Sequence, residues 1–123
     1  MKSLIGKDWC DAKDNSVIEV INPATKELID TVPSLSAEEV NTAVDYAYEY
    51  QKEWAKLPIY KRCEILMKFV DLVERDKDTL AKTLSDETGK PIKEARAEIA
   101  NIKIGVPAYV EKVKHDYGNL IPR

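Results

Sequence analysis

Glycine and histidine are scarce in this sequence. It has four glycines, and no two of them are close enough to form a phosphate-binding loop. It has one histidine and two cysteines, without the ligand spacing of a zinc site. Neither a G-x-S-x-G nor an H-E-x-x-H motif occurs. The residues alone therefore predict a domain without an active site of its own.

A strong charge of one sign and long apolar runs are also lacking. The 19 basic and 22 acidic residues are interspersed and give a net charge of -3, so there is no basic stripe of the kind that nucleic acid requires. No segment has the length and apolarity of a membrane span or a signal peptide. We expect no nucleic-acid partner, no membrane partner and a cytoplasmic location.

The size and apolar content suit a single folded unit. The chain has 123 residues, of which 44% are hydrophobic. That is enough for one domain and too little for two, and the composition is not that of a disordered chain.

The first third of the chain predicts strands. Leu4 to Trp9 reads as two short extended pieces around Gly6. The β-branched run 17–21 predicts a strand, residues 22–25 a turn, and residues 27–32 the returning strand. A two-stranded hairpin is barely stable alone, so we expect it to lie on other elements.

The remainder predicts about four helices. Ser36 with Glu39 has the spacing of a capping box and opens the first helix, which ends at Leu57-Pro58. The second carries an apolar stripe through Cys63 and Val70, with additional apolar residues that widen it.

The third and fourth helices are expected after a helix boundary at residues 76–78, where an Asp would be the N-cap. The fourth begins near Pro91. Pro107 predicts a kink or break over residues 103–107, and Gly118 ends the helical pattern before an extended tail at 120–122. The chain is thus predicted to be an α+β segment.

The segment Glu87-Thr88-Gly89-Lys90-Pro91 predicts a helix stop followed by a helix start. Gly89 suits a left-handed position after a helix, and Pro91 suits a first helical turn.

Several side chains have both a chemical and a structural interpretation. We interpret Cys63 as a packed core thiol, Cys10 as structural and His115 as a solvated residue. An aromatic cluster in the first helix forms either a binding platform or, as we favour, a surface packed under a partner helix. Its members are Tyr46, Tyr48, Tyr50 and Trp54.

The order of these features resembles the aldehyde dehydrogenase superfamily. The run Val20-Ile21-Asn22-Pro23-Ala24-Thr25 is similar to the family's first strand and turn. Glu87-Thr88-Gly89-Lys90-Pro91 with Glu94-Ala95 and Glu98-Ile99 is similar to its E-T-G-K-P…E-A…E-V run. The likeness covers nearly the whole chain. Lys26 departs from it, since the family usually has Gly after N-P-A-T.

The resemblance implies a larger enzyme. Family members have an α/β fold with cofactor-binding, catalytic and oligomerisation parts, and oxidise aldehydes to acids with NAD or NADP. A cysteine thiolate attacks the aldehyde, hydride passes to the nicotinamide, and a glutamate activates water. By the resemblance, these residues lie beyond this chain. Residues 1–123 would be the N-terminal part of the cofactor-binding domain, with strands at about 3–32 and helices at about 36–117.

The resemblance assigns no catalytic or cofactor-binding residue to the chain. It does imply a structural alkali cation held by carbonyls of Val20 and Ile21 and by Glu98. The alternative is that Glu98 is an ordinary solvated helix charge.

Two functional hypotheses follow. The first is an N-terminal scaffold segment that is inactive alone and binds no cofactor strongly. Its partners would be the remainder of the same enzyme, which is expected to be a homo-oligomer, and an aldehyde such as a hydroxyaldehyde or a semialdehyde. The second is a stand-alone helical interaction module derived from the same family.

Overall fold

The computed structural model describes residues 1–115, in which four strands precede three helices. They are β1 (Ser3–Ile5), β2 (Asp8–Cys10), β3 (Val17–Ile21), β4 (Leu28–Pro33), α1 (Ala37–Lys56), α2 (Ile59–Thr88) and α3 (Ile92–Lys114). The α+β class is confirmed. The predictions for Gly118 and the tail at 120–122 lie outside the described residues.

The strands form two separate antiparallel pairs rather than one sheet. β1 pairs with β2 around Gly6, which has φ of 65°. β3 pairs with β4 from Val17 opposite Pro33 to Ile21 opposite Leu28, with a register shift between Val20 and Ile21. The predicted hairpin is present, and its irregularity lies next to the turn.

The predicted capping box opens α1. The Ser36 hydroxyl accepts from the Glu39 N–H at 3.3 Å, and the Glu39 carboxylate accepts from the Ser36 N–H at 2.8 Å. The other carboxylate oxygen of Glu39 accepts from the Lys13 N–H at 2.8 Å. Because Glu39 is buried, these three residues fix the loop after β2 to the start of α1.

The predicted helix boundary at residues 76–78 is wrong, because α2 runs without interruption for 30 residues. Asp76 is not an N-cap. It forms an ion pair with Arg75, and Lys77 forms one with Glu74 one turn back. α2 contains no Gly or Pro, the residues that most disfavour a helix. Its exposed charged residues form pairs along the helix surface and do not end it. The described chain therefore has three helices rather than four.

Of the kink or break expected over residues 103–107, the break is not found. Both Gly105 and Pro107 lie inside α3, which continues to Lys114. Proline costs about 3 kcal/mol inside a regular helix. Since α3 packs along α2, this contact offsets the local cost.

The core lies along the seam between α2 and α3. Ala81 and Ala95 are fully buried, and Cys63, Val70 and Val110 are nearly so. The prediction of a packed Cys63 thiol is confirmed. The other face of α2 is open, with Ile65, Phe69 and Leu72 each close to half exposed.

Within residues 1–115, no helix is both long enough and apolar enough to cross a membrane.

The Glu39 network predicts a pH-dependent contribution to stability. Hydrogen bonds from the Ser36 hydroxyl, the Ser36 N–H and the Lys13 N–H lower the pKa of Glu39. The carboxylate therefore stabilises the fold above its unfolded pKa of about 4.3, and this contribution is lost as pH falls through the lower folded pKa. Glu39→Gln should lower the urea midpoint at neutral pH, and the deficit should shrink in acid.

The matched control is Glu38→Gln, because the Glu38 side chain is 81% exposed and forms an exposed ion pair with Lys13. Its urea midpoint should stay close to that of the unaltered chain. A deficit in Glu39→Gln that is constant from neutral to strongly acidic pH would contradict the assignment.

Candidate functional site

The joint between α2 and α3 is closed by local hydrogen bonds. Gly89 has φ of 70°, and its N–H donates to the Ser85 carbonyl at 2.8 Å. The Ser85 hydroxyl donates to the Lys90 carbonyl at 2.7 Å. Pro91 immediately precedes α3 with φ of −55°. The predicted left-handed glycine and the predicted helix start near Pro91 are confirmed, although Pro91 is the N-cap residue and not part of the first turn.

The turn between β3 and β4 is organised by Asn22. Its side-chain oxygen accepts from the N–H groups of Ala24 at 2.9 Å and Thr25 at 3.2 Å. Its carbonyl accepts from the Lys26 N–H at 2.8 Å. Lys26 has φ of 67°, a left-handed conformation that disfavours any residue with a Cβ.

The joint and the turn are in direct contact. A Cβ placed on Gly89 would lie 2.7 Å from Cγ of Pro23 and 3.5 Å from the Ala24 nitrogen. Real side chains do not tolerate the first distance. The two sequence motifs that carry the family resemblance therefore meet in space, a contact that no local pattern in the sequence indicated.

The three proposed cation ligands lie on two elements, β3 and α3. Val20 and Ile21 end β3 just before the turn, and Ile21 is exposed. Glu98 lies on α3 and forms an ion pair with Lys90, the residue after Gly89. Oxygen ligands of this kind suit a hard cation, but an ammonium already contacts the Glu98 carboxylate.

Within residues 1–115, no group of three or more His, Cys, Asp or Glu side chains is placed to hold a metal ion. The proposed set has one carboxylate together with backbone carbonyls, so it is a different kind of site.

Neither thiol is arranged as a nucleophile. Cys63 is buried in the seam, and Cys10 donates to the Ser3 carbonyl at 3.5 Å. His115 lies 3.3 Å from Glu111 at the exposed end of α3. A nucleophilic thiol requires a base or another group that stabilises its thiolate, and the described contacts of these two thiols include none.

The three tyrosines of the α1 aromatic cluster are not packed under another helix of the described chain, so the favoured interpretation is corrected for them. Trp54 does lie against α2 and the end of α3, as that interpretation expected. The tyrosines are about half exposed. The Tyr46 ring lies beside Gly6 in the β1–β2 turn, and Lys7 Nζ lies 5.8 Å from the centre of the Tyr50 ring. Tyr46 and Tyr50 thus contact the first strand pair.

An apolar groove lies between the start of α2 and the end of α3, with a cavity of about 170 Å³. We call it the Arg62 groove. Its apolar walls are formed chiefly by Trp54, Ile59, Leu66, Tyr109 and Val113. The Arg62 Nε is buried and has no hydrogen-bond partner among the described residues. Sequence reasoning missed this feature, although an arginine directly beside the apolar stripe of a helix was a visible signal.

Comparison with known proteins gives one consistent result. The profile of the aldehyde dehydrogenase family matches residues 9–123. The chain is 37% identical to a mitochondrial succinate-semialdehyde dehydrogenase of Arabidopsis thaliana over 121 residues, which are 98% of the chain and 23% of that protein. It is 33% identical over the same length to the NADP-dependent succinate-semialdehyde dehydrogenase of Escherichia coli, of which it covers 25%.

Solved structures agree with the sequence relatives. A succinate-semialdehyde dehydrogenase from Burkholderia pseudomallei superimposes with a TM-score of 0.90 at 34% identity, over 99% of this chain and 25% of that one. An NADP-dependent glyceraldehyde-3-phosphate dehydrogenase from Bacillus halodurans, in complex with NADP, gives a TM-score of 0.91 at 27% identity over 96% and 25% of the two chains. The chain spans about a quarter of the length of these relatives.

The contact between the joint and the turn makes Gly89 intolerant of a side chain. Gly89→Ala should destabilise the chain by about 1–3 kcal/mol, since it adds left-handed strain to a clash with the Pro23 ring. The free energy of unfolding in urea measures the effect.

Gly105→Ala is the matched control. Its added Cβ would meet nothing within 4 Å, and the position is helical. It should therefore stabilise the chain by about 0.5–1 kcal/mol. Equal effects of the two substitutions would contradict the proposed packing of the joint on the turn.

Proposed function

Because the chain belongs to the aldehyde dehydrogenase family, we propose that it forms the N-terminal part of the cofactor-binding domain of an NAD(P)-dependent aldehyde dehydrogenase. The observation that carries the proposal is the match of almost the whole chain to a quarter of each relative. The catalytic and oligomerisation parts of the enzyme would lie in the other three quarters. In that assembly the chain is a scaffold.

The positions of the two thiols support a scaffold role. Oxidation of an aldehyde by this route needs an accessible thiolate, and NAD(P) supplies a hydride acceptor. Cys63 is instead enclosed between α2 and α3, and Cys10 belongs to a strand pair. Neither residue is assigned a catalytic role, and we expect no strong cofactor binding by this chain alone.

We infer that the substrate of the intact enzyme is a semialdehyde. The names of several relatives specify succinate or glutarate semialdehyde. NADP is named for the Escherichia coli relative, and a more distant structural neighbour was solved with NAD+. Homo-oligomerisation and a cytoplasmic location are further parts of this proposal, and the plant relatives are described as mitochondrial.

A second candidate function is a helical interaction module. The specific observation in its favour is the open face of α2, where Ile65, Phe69 and Leu72 are accessible to a partner. The coding frame after Arg123 separates the two hypotheses. A downstream glycine-rich loop and a cysteine motif favour the enzyme, and a stop codon favours the module.

The proposed function predicts that the chain is inactive alone and supports activity when joined to the rest of a related enzyme. The 123-residue chain alone should form no NAD(P)H with succinate semialdehyde. Substituted for the matched quarter of the Escherichia coli relative, it should yield a protein, here called the joined enzyme, that oxidises this substrate. The absorbance of NAD(P)H follows both reactions.

The control is the Escherichia coli protein without its matched quarter, which should be inactive. Aldehyde-dependent NAD(P)H formation by the isolated chain would refute the scaffold role. A joined enzyme that folds and binds cofactor but never turns over would refute the proposed activity.

We also propose that the intact enzyme holds an alkali cation through the carbonyls of Val20 and Ile21 and the carboxylate of Glu98. Support comes from the register shift between the two strand residues, since such an irregularity disrupts the regular ladder. The contact of Gly89 with Pro23 brings the end of this hairpin to the joint from which α3 starts. Lys90 would then share the Glu98 carboxylate with the cation.

The cation proposal predicts a specific salt effect. Sodium or potassium chloride should raise the Tm of the joined enzyme above its value in choline chloride at equal ionic strength, because only the small cations fit carbonyl ligands. Glu98→Gln should abolish the difference. Glu94→Gln, one turn earlier on α3, should preserve it, and equal behaviour of the two variants would rule out Glu98 as a ligand.

A further inference from the structure

The Arg62 groove combines an apolar wall with an unpaired cation. Arg62 lies in the first turn of α2, and its Nε is shielded from solvent. This Nε has no hydrogen-bond partner among residues 1–115. The groove beside it is lined by side chains from the end of α1 and from both helices of the seam.

An unpaired buried donor on a charged group is unfavourable. Leaving such a group without an acceptor costs more than the net gain of an ordinary hydrogen bond, because its desolvation is uncompensated. Buried polar atoms in native proteins almost always have a partner. The missing acceptor is therefore expected to come from atoms outside residues 1–115.

The chemistry of that acceptor follows from the guanidinium. Nε and one terminal nitrogen form a planar edge whose two N–H groups match the two oxygens of a carboxylate. The adjacent cavity of about 170 Å³ is close in size to an engineered cavity of about 150 Å³ that holds benzene, so it accommodates one large apolar side chain. The groove thus fits an acidic residue with an apolar neighbour.

We propose that the Arg62 groove is the seat of an Asp or Glu carboxylate, with an adjacent apolar side chain, from the remainder of the intact polypeptide. This inference rests on the proposed function, since the relatives are about four times as long as this chain. The carboxylate pairs with the guanidinium, and the apolar side chain fills the cavity. Arg62 is a positioning residue that docks the scaffold on the rest of the enzyme.

The groove chemistry can be tested on the 123-residue chain with hexanoate as a probe and hexanol as its uncharged counterpart. NMR resonances of the arginine Nε–H groups report binding. Hexanoate should bind at least tenfold more tightly than hexanol and should shift the Arg62 resonance selectively. The exposed Arg96 provides the internal control. Equal shifts at both arginines, or equal affinity for the two probes, would overturn the proposal.

The identity of the occupant can be tested by comparing Arg62→Met in two contexts. In the isolated chain it should leave Tm unchanged or raise it, because it removes an unpaired buried group. In the joined enzyme it should lower Tm by about 4 °C or more. Arg62→Lys should restore part of the loss, since it keeps the charge without the planar edge, and Arg96→Met should have no effect in either context.

Two results would contradict the assignment. A similar Tm loss in both contexts would mean that Arg62 acts within this chain. A crystal structure of the joined enzyme without a carboxylate within hydrogen-bond distance of Arg62 Nε would exclude the proposed occupant. Because these readouts are independent of turnover, an inactive joined enzyme would count against the proposed activity and leave the docking result intact.

Discussion

The approach of Gly89 to Pro23 is the constraint on which the arrangement of this chain depends. A two-stranded hairpin such as β3–β4 has little stability alone, so it needs a surface to lie on. Within the described residues its turn contacts the joint between the two long helices, and this contact is possible because Gly89 has no Cβ and adopts φ of 70°. Gly89 thus allows the chain to turn between α2 and α3 and leaves space for the ring of Pro23.

The turn side of this contact carries its own strain. Lys26 occupies a left-handed conformation that costs a residue with a Cβ about 1–2 kcal/mol. Three hydrogen bonds to Asn22 hold the loop in this shape regardless of the residue at position 26. The comparison of motifs indicated a departure at Lys26, where the family usually has Gly, and the structure shows that Lys26 itself adopts the left-handed conformation that glycine favours.

Sequence reasoning succeeded where a signal and its partner are close in the chain. The Ser36–Glu39 box, the Asn22 turn and the left-handed Gly89 each depend on hydrogen bonds within a few residues. It failed at Asp76 because an Asp suited to a cap is equally suited to an exposed helix face. It failed for the tyrosines of α1, since their neighbours are set by packing between distant segments.

The core of the chain is made of small side chains, and many of the large apolar side chains lie outside it. The buried hydrophobic residues of the seam are mainly Ala, Val and Cys, whereas the large side chains Phe69, Leu72 and Tyr109 remain substantially exposed. Full burial of such a side chain gains about 1.5–3 kcal/mol, so a substantial part of the available hydrophobic stabilisation is unused within residues 1–115. Of these side chains, Tyr109 lines the Arg62 groove beside the unpaired Nε. A protein surface with apolar side chains and one carboxylate would bury exposed apolar area and accept a hydrogen bond from Arg62 at a single interface.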